Sequence, residues 1–87
     1  MKIKQGFILR EVAGNYIVVA VGDMAKQFNG MINLNETGAF LWKNLEKGCT
    51  KEELLAKLLA EYNVEKDLAE THIDKFITQL TGANLLD

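Results

Sequence analysis

The stretch Met31-Ile32-Asn33-Leu34-Asn35-Glu36-Thr37-Gly38-Ala39-Phe40-Leu41-Trp42 changes its apolar period partway along. Ile32 and Leu34 alternate with Met31 and Asn33, as in a short strand with one apolar face. Beyond Asn35 the apolar residues Phe40, Leu41, Trp42 and Leu45 fall on a helical stripe that ends at Lys47 and Gly48. Asn35 is the side chain that can accept hydrogen bonds from the first free amides of that helix. A short strand therefore runs straight into a helix, and so brief a strand suits the edge of a sheet.

Upstream, Phe7–Val12 is apolar at both parities, and residues 16–21 form the strongest β-branched run in the chain. Ala13-Gly14-Asn15 between them has hairpin-turn chemistry, which predicts two antiparallel strands. The connection from Gly22 to Gly30 is looser. It contains the apolar residues Met24, Ala25 and Phe28 and closes on the turn pair Asn29-Gly30. Downstream, Thr50 and Glu53 have the spacing of a capping box, and behind them lie Leu54, Leu55, Leu58, Leu59 and Tyr62. A third helix is predicted to begin near residues 65–67. It carries Leu68, Ala69, His72, Ile73, Phe76, Ile77 and Leu80 at three-and-four spacing. Gly82 is its expected stop, with Leu85 and Leu86 folding back as an apolar tail. The order is three strands and then three helices, an α+β arrangement over a single domain, residues 1–87.

Composition sets the outer limits. The 87 residues are 48% hydrophobic and 25% charged, enough for one modest core. Net charge is -2, so no global field draws the chain to nucleic acid or an anionic membrane. The balance is uneven. Residues 1–34 carry four cations against two acids, and residues 35–87 carry six lysines against ten acids. The one cysteine, Cys49, excludes an internal disulfide, and the first residues lack the apolar stretch of a secretory signal. These features predict an uncleaved, soluble, cytoplasmic chain with no membrane span.

The inventory for catalysis is thin: no serine, one cysteine and one histidine. Cys49 reads as a loop thiol and His72 as a boundary residue on the third helix. A lone histidine cannot assemble a zinc site, and the acids, interspersed with lysine along helices, read as a solvated face. Trp42 reads as a core anchor. No catalytic residue, metal or cofactor is expected, and no glycine-rich phosphate loop is present.

Residues 32–42, with the Leu-Asn pair ending a strand and Thr37-Gly38 opening a helix toward Leu41-Trp42, resemble the central signature of the PqqD-like family. Leu9-Arg10-Glu11, Thr50 with Glu53-Leu54, Phe76 with Leu80, and the Leu85-Leu86 ending extend the resemblance from about Phe7 to Leu86. It implies a winged-helix-like fold, a three-stranded antiparallel sheet followed by a three-helix bundle. It also implies a non-catalytic module that captures the leader of a ribosomally made precursor peptide and presents it to a modifying enzyme, often a radical S-adenosylmethionine protein. Coenzyme PQQ synthesis is one such pathway. The physics agrees, because an edge strand offers unpaired backbone groups to an extended peptide. Here the edge is Met31, Ile32, Asn33 and Leu34, and the expected helical wall is His72, Lys75, Phe76 and Gln79. The chain departs from the family at residues 22–30, and Glu46-Lys47-Gly48-Cys49 stands where a more compact Asp-Gly turn is usual.

Two other readings compete. A winged helix that reads DNA would need cations on its third helix, which instead holds Glu65, Asp67, Glu70 and Asp74 against Lys66 and Lys75, with no arginine. A generic assembly domain would use the same sheet edge on a larger protein or a second copy.

Overall fold

The computed structural model describes residues 1–27 and 30–87. Phe28 and Asn29, and with them the turn read at Asn29-Gly30, lie outside the described residues. The chain forms strands β1 (Phe7–Val12) and β2 (Asn15–Ala20), a one-turn helix α1 (Met24–Gln27) and strand β3 (Met31–Leu34). Three helices follow, α2 (Glu36–Glu46), α3 (Lys51–Glu61) and α4 (Lys66–Gly82). The strands make one antiparallel sheet in the order β1-β2-β3. This is the predicted α+β fold. Its addition is α1, set within the connection read as loose.

The hairpin turn is one residue tighter than the predicted triplet. Val12 pairs with Asn15, so only Ala13 and Gly14 bridge the strands, at φ 53 and φ 81. Positive φ at both positions gives the twist that a two-residue loop needs. The shorter loop moves β2 one residue earlier than expected, to Asn15–Ala20, and leaves Val21 outside it. Where β2 runs on toward α1, Val21 donates its amide to the Gly6 carbonyl at 2.8 Å. A Cβ on Gly6 would fall 2.3 Å from the Met24 side chain, so only glycine fits that crossing.

Strand register explains why both parities are apolar. Phe7, Leu9, Val18, Ala20, Ile32 and Leu34 share the face packed on the helices. Ile8, Ile17, Val19 and Met31 share the opposite face with Arg10, outside the core cluster. Against the inner face lie Leu41, Trp42 and Leu45 of α2, Leu54 and Leu58 of α3, and Ile73, Phe76 and Leu80 of α4. Trp42 is fully buried, as expected of a core anchor, though its Nε1 finds no hydrogen-bond partner among the described residues.

Helix starts follow the sequence. Asn35 accepts from the Gly38 amide at 2.7 Å. Thr50 Oγ1 accepts from the Glu53 amide at 3.1 Å, and Glu53 Oε1 accepts from the Thr50 amide at 2.9 Å, closing the capping box. The stop of α4 differs from expectation. Gly82 remains helical, and the reversal falls on Asn84 at φ 60. The Leu85 amide reaches the Leu80 carbonyl at 2.9 Å and the Asn84 amide reaches the Thr81 carbonyl at 3.0 Å. This is a Schellman closure with asparagine in the left-handed position.

That closure turns Leu85 into the core, where it is fully buried. The tail then meets the N-terminal residues: Lys4 donates its amide to the Leu85 carbonyl at 2.8 Å, Asp87 donates to Lys2 at 2.9 Å, and Ile3 bridges Leu86. Ile3 is thereby buried, a core residue that local pattern does not reveal. Cys49 lies in the loop between α2 and α3, as read, but it is 8% exposed within the core, and burial pushes its thiol pKa up. Its carbonyl accepts from the Met1 ammonium and its amide donates to the Met1 carbonyl, both at 2.9 Å, so the N-terminus lies over it.

Candidate functional site

Among the described residues β3 pairs with β2 along one side only, so its other side is the end of the sheet. Its last residue leads through Asn35 directly into α2, which holds the strand's end fixed. Packing between helices sets α4 chiefly against α3. Between β3 and α4 a groove of about 280 Å³ remains open.

The groove has an apolar floor and a polar rim. Leu34 of β3, Leu41 of α2 and Phe76 of α4 make the floor, and Leu41 and Phe76 belong equally to the core. Asn33, Asn35 and Thr37 stand along one side, and His72, Lys75 and Gln79 of α4 along the other. Gly38 closes the α2 wall. A Cβ there would lie 3.2 Å from Asn35 Oδ1 and 3.4 Å from Leu34 Cβ, so a side chain would press on both the helix cap and the strand.

Of the residues read from sequence, Asn33, Leu34, His72, Lys75, Phe76 and Gln79 come together around this groove. Met31 and Ile32 do not line it. Ile32 turns its side chain to the core, and Met31, 65% exposed, projects from the opposite face of the sheet. Asn35, Thr37, Gly38 and Leu41 line the groove without having been read as site residues. Their roles as cap, helix start and apolar stripe concealed it. The signal was present in the Thr37-Gly38 pair, since a glycine near a helix start marks close approach of backbone.

Charge is sorted around α4. Asp74 binds the Lys51 ammonium at 2.5 Å, and that hydrogen bond, with the field of Asp74, Glu70 and Glu52, raises the Lys51 pKa. On the other flank, no carboxylate among the described residues lines the groove. Cys49 is not among the lining residues, so it does not meet His72 there. Among the described residues no group of three or more His, Cys, Asp and Glu side chains could hold a metal ion. No helix among them is long and apolar enough to cross a membrane.

The sequence model of the family coenzyme PQQ synthesis protein D (PqqD) matches residues 7–86. Among solved structures, the chain is similar to one described as TbiB1 in complex with the TbiA(beta) leader peptide. The two share 23% identity over 100% of this chain and 95% of that one, with a TM-score of 0.80. It is also similar to a lasso peptide synthetase B1 complexed with the leader peptide, at 19% identity, over 97% of this chain and 93% of that one, with a TM-score of 0.76. At these identities the likeness is one of fold. No curated protein sequence matches the chain.

Proposed function

The chain belongs to the PqqD family, and from that premise we propose that it is a non-catalytic module that binds the leader segment of a ribosomally made precursor peptide by strand addition and presents it to a modifying enzyme. The observation that carries this reading is the free side of β3 facing a groove with an apolar floor and a polar rim. Two relatives of the same fold are described in complex with leader peptides, which supports it further.

In this mechanism the leader lies extended beside Met31–Leu34, and its backbone amides and carbonyls pair with those on the outer side of β3. Each edge group exchanges water for a peptide partner, so the ladder itself adds affinity with little sequence preference. Selectivity arises from alternate side chains, which point into the groove onto Leu34, Leu41 and Phe76, between His72, Lys75 and Gln79. Met31 and Ile32 contribute backbone only. Residues 1–87 act as one domain, an assignment supported by the termini bonding to each other over a shared core. The chain works in the cytoplasm, where such a precursor is made, beside a modifying enzyme such as a radical S-adenosylmethionine protein.

The experiment is an NMR titration of labelled chain with the leader of a precursor encoded beside it. Shifts confined to residues 31–34 and the groove flank of α4 are expected. A folded spectrum with no shifts at millimolar peptide would refute capture of that leader and favour the generic assembly reading.

A further inference from the structure

The acids that dominate α4 in sequence are absent from the groove. Glu70 and Asp74 are turned toward Lys51 of α3, where Asp74 forms the ion pair at 2.5 Å. Glu65 and Asp67 stand exposed at the start of α4. The flank toward β3 presents His72, Lys75 and Gln79 above Phe76, and the facing wall adds Asn33, Asn35 and Thr37. A chain with net charge -2 thus keeps a groove with a lysine and hydrogen-bond donors and no carboxylate. Lys75 makes no ion pair among the described residues. One turn before His72, on the same flank, Leu68 is 49% exposed and prolongs the track with an apolar contact.

Resting on the strand-addition reading, we infer that the groove selects a bound strand carrying an aspartate or glutamate two positions from an apolar residue, with Lys75 as the specificity-determining residue. The apolar side chain sits on the floor or against Leu68. The carboxylate reaches Lys75 Nζ, with His72 and Gln79 around it. Side chains on one face of a strand recur about every 6.8 Å, close to the ~6 Å rise between helix residues four apart, so neighbouring same-face residues meet positions such as Lys75 and Gln79 of α4. A cationic side chain at the acid's position meets Lys75 with no compensating carboxylate, which disfavours basic peptides at the same site.

The test selects a displayed library of random dodecamer peptides against the intact chain and maps the enriched peptides by amide shifts. Expected are peptides with Asp or Glu two positions from an apolar residue that move residues 31–34. Changing that acid to Gln should weaken binding roughly 3- to 10-fold, the range from an exposed to a partly desolvated ion pair. Lys75→Glu lies on an exposed position, so an unchanged thermal midpoint is expected to verify its fold. It should reverse the preference, favouring the peptide with Lys in the acid's place. Enriched peptides that move residues 31–34 without acid preference, or whose preference survives Lys75→Glu, overturn the inference and leave strand addition standing. Failure of any enriched peptide to move residues 31–34 overturns strand addition, and the inference with it.

Discussion

The two exposed flanks of α4 differ in kind although one helix carries both. Toward α3, Asp74 and Glu70 are met by Lys51 at the start of that helix. Toward β3, Lys75 and His72 stand over a groove with nothing of opposite charge in it. One flank has its complement within the chain, and the other does not. Averaging charge over the whole helix hides this, which is why an acidic helix can still present a surface suited to a carboxylate.

Substitutions along α4 and at the ends that fix it test this contrast. The largest effect is expected at Phe76, which is both core and groove floor. Phe76→Ala should destabilise the fold by ~3–5 kcal/mol in urea denaturation, because a nearly buried ring leaves a cavity. Gln79→Ala, on the exposed rim, should stay within about 0.5 kcal/mol of the parent while weakening peptide binding. Equal stability losses at the two positions would mean that the rim is structural and the contrast between core and flank is drawn wrongly.

Next in size is the start of α3, which places Lys51 opposite Asp74. Thr50→Ala removes the side-chain half of the capping box and should cost about 1 kcal/mol in thermal or urea unfolding. The bond from the Thr50 backbone amide, aided by the Thr50 side chain, holds the Glu53 carboxyl below its usual range. The folded pKa is thus lower than the unfolded one, about 4.3. Its contribution is complete above that value and is lost as pH falls through the folded pKa. Stability measured across that acid window should fall with pH, and Glu53→Gln should flatten this part of the profile.

A comparable or smaller effect comes from the C-terminal end that sets the register of α4. Gly82→Ala, with open space around the new Cβ, should stabilise by up to ~1 kcal/mol, as for a helical glycine. Asn84→Ala should destabilise by about 1 kcal/mol, because alanine tolerates the left-handed backbone less well. A loss at Gly82 with no change at Asn84, read by thermal unfolding, would return the stop to Gly82. The smallest effect is expected at Asp74→Asn. The ion pair is exposed, so unfolding should shift little and less still at high salt, with peptide affinity unchanged.

What the residues disclosed in advance was mostly local. The passage from Leu34 through Asn35 into α2 and the Thr50–Glu53 box could be read because a cap and its amides lie within three positions of each other. The third helix's apolar stripe placed Phe76 beside His72, Lys75 and Gln79, so half the groove was legible. The other half was not. Thr37, Gly38 and Leu41 come to line the groove only once α4 faces α2, a relation with no sequence period. Burial of Ile3 depends on the N-terminus meeting the C-terminal tail, 80 positions away in the pairing of Lys4 with Asn84, and Cys49 lies under Met1, 48 positions before it. The helix stop was misplaced because glycine was favoured by type, whereas Asn84 has the bonds that close the turn.

The central claim is that a peptide becomes the next strand beside β3. Its most direct measurement is an isotope-filtered NOE experiment between labelled chain and unlabelled bound leader. Expected are cross-strand backbone contacts from the peptide to residues 31–34, alternating with period two, together with side-chain contacts to Phe76 and Lys75. Side-chain contacts to α4 without any backbone contact to β3 would contradict it.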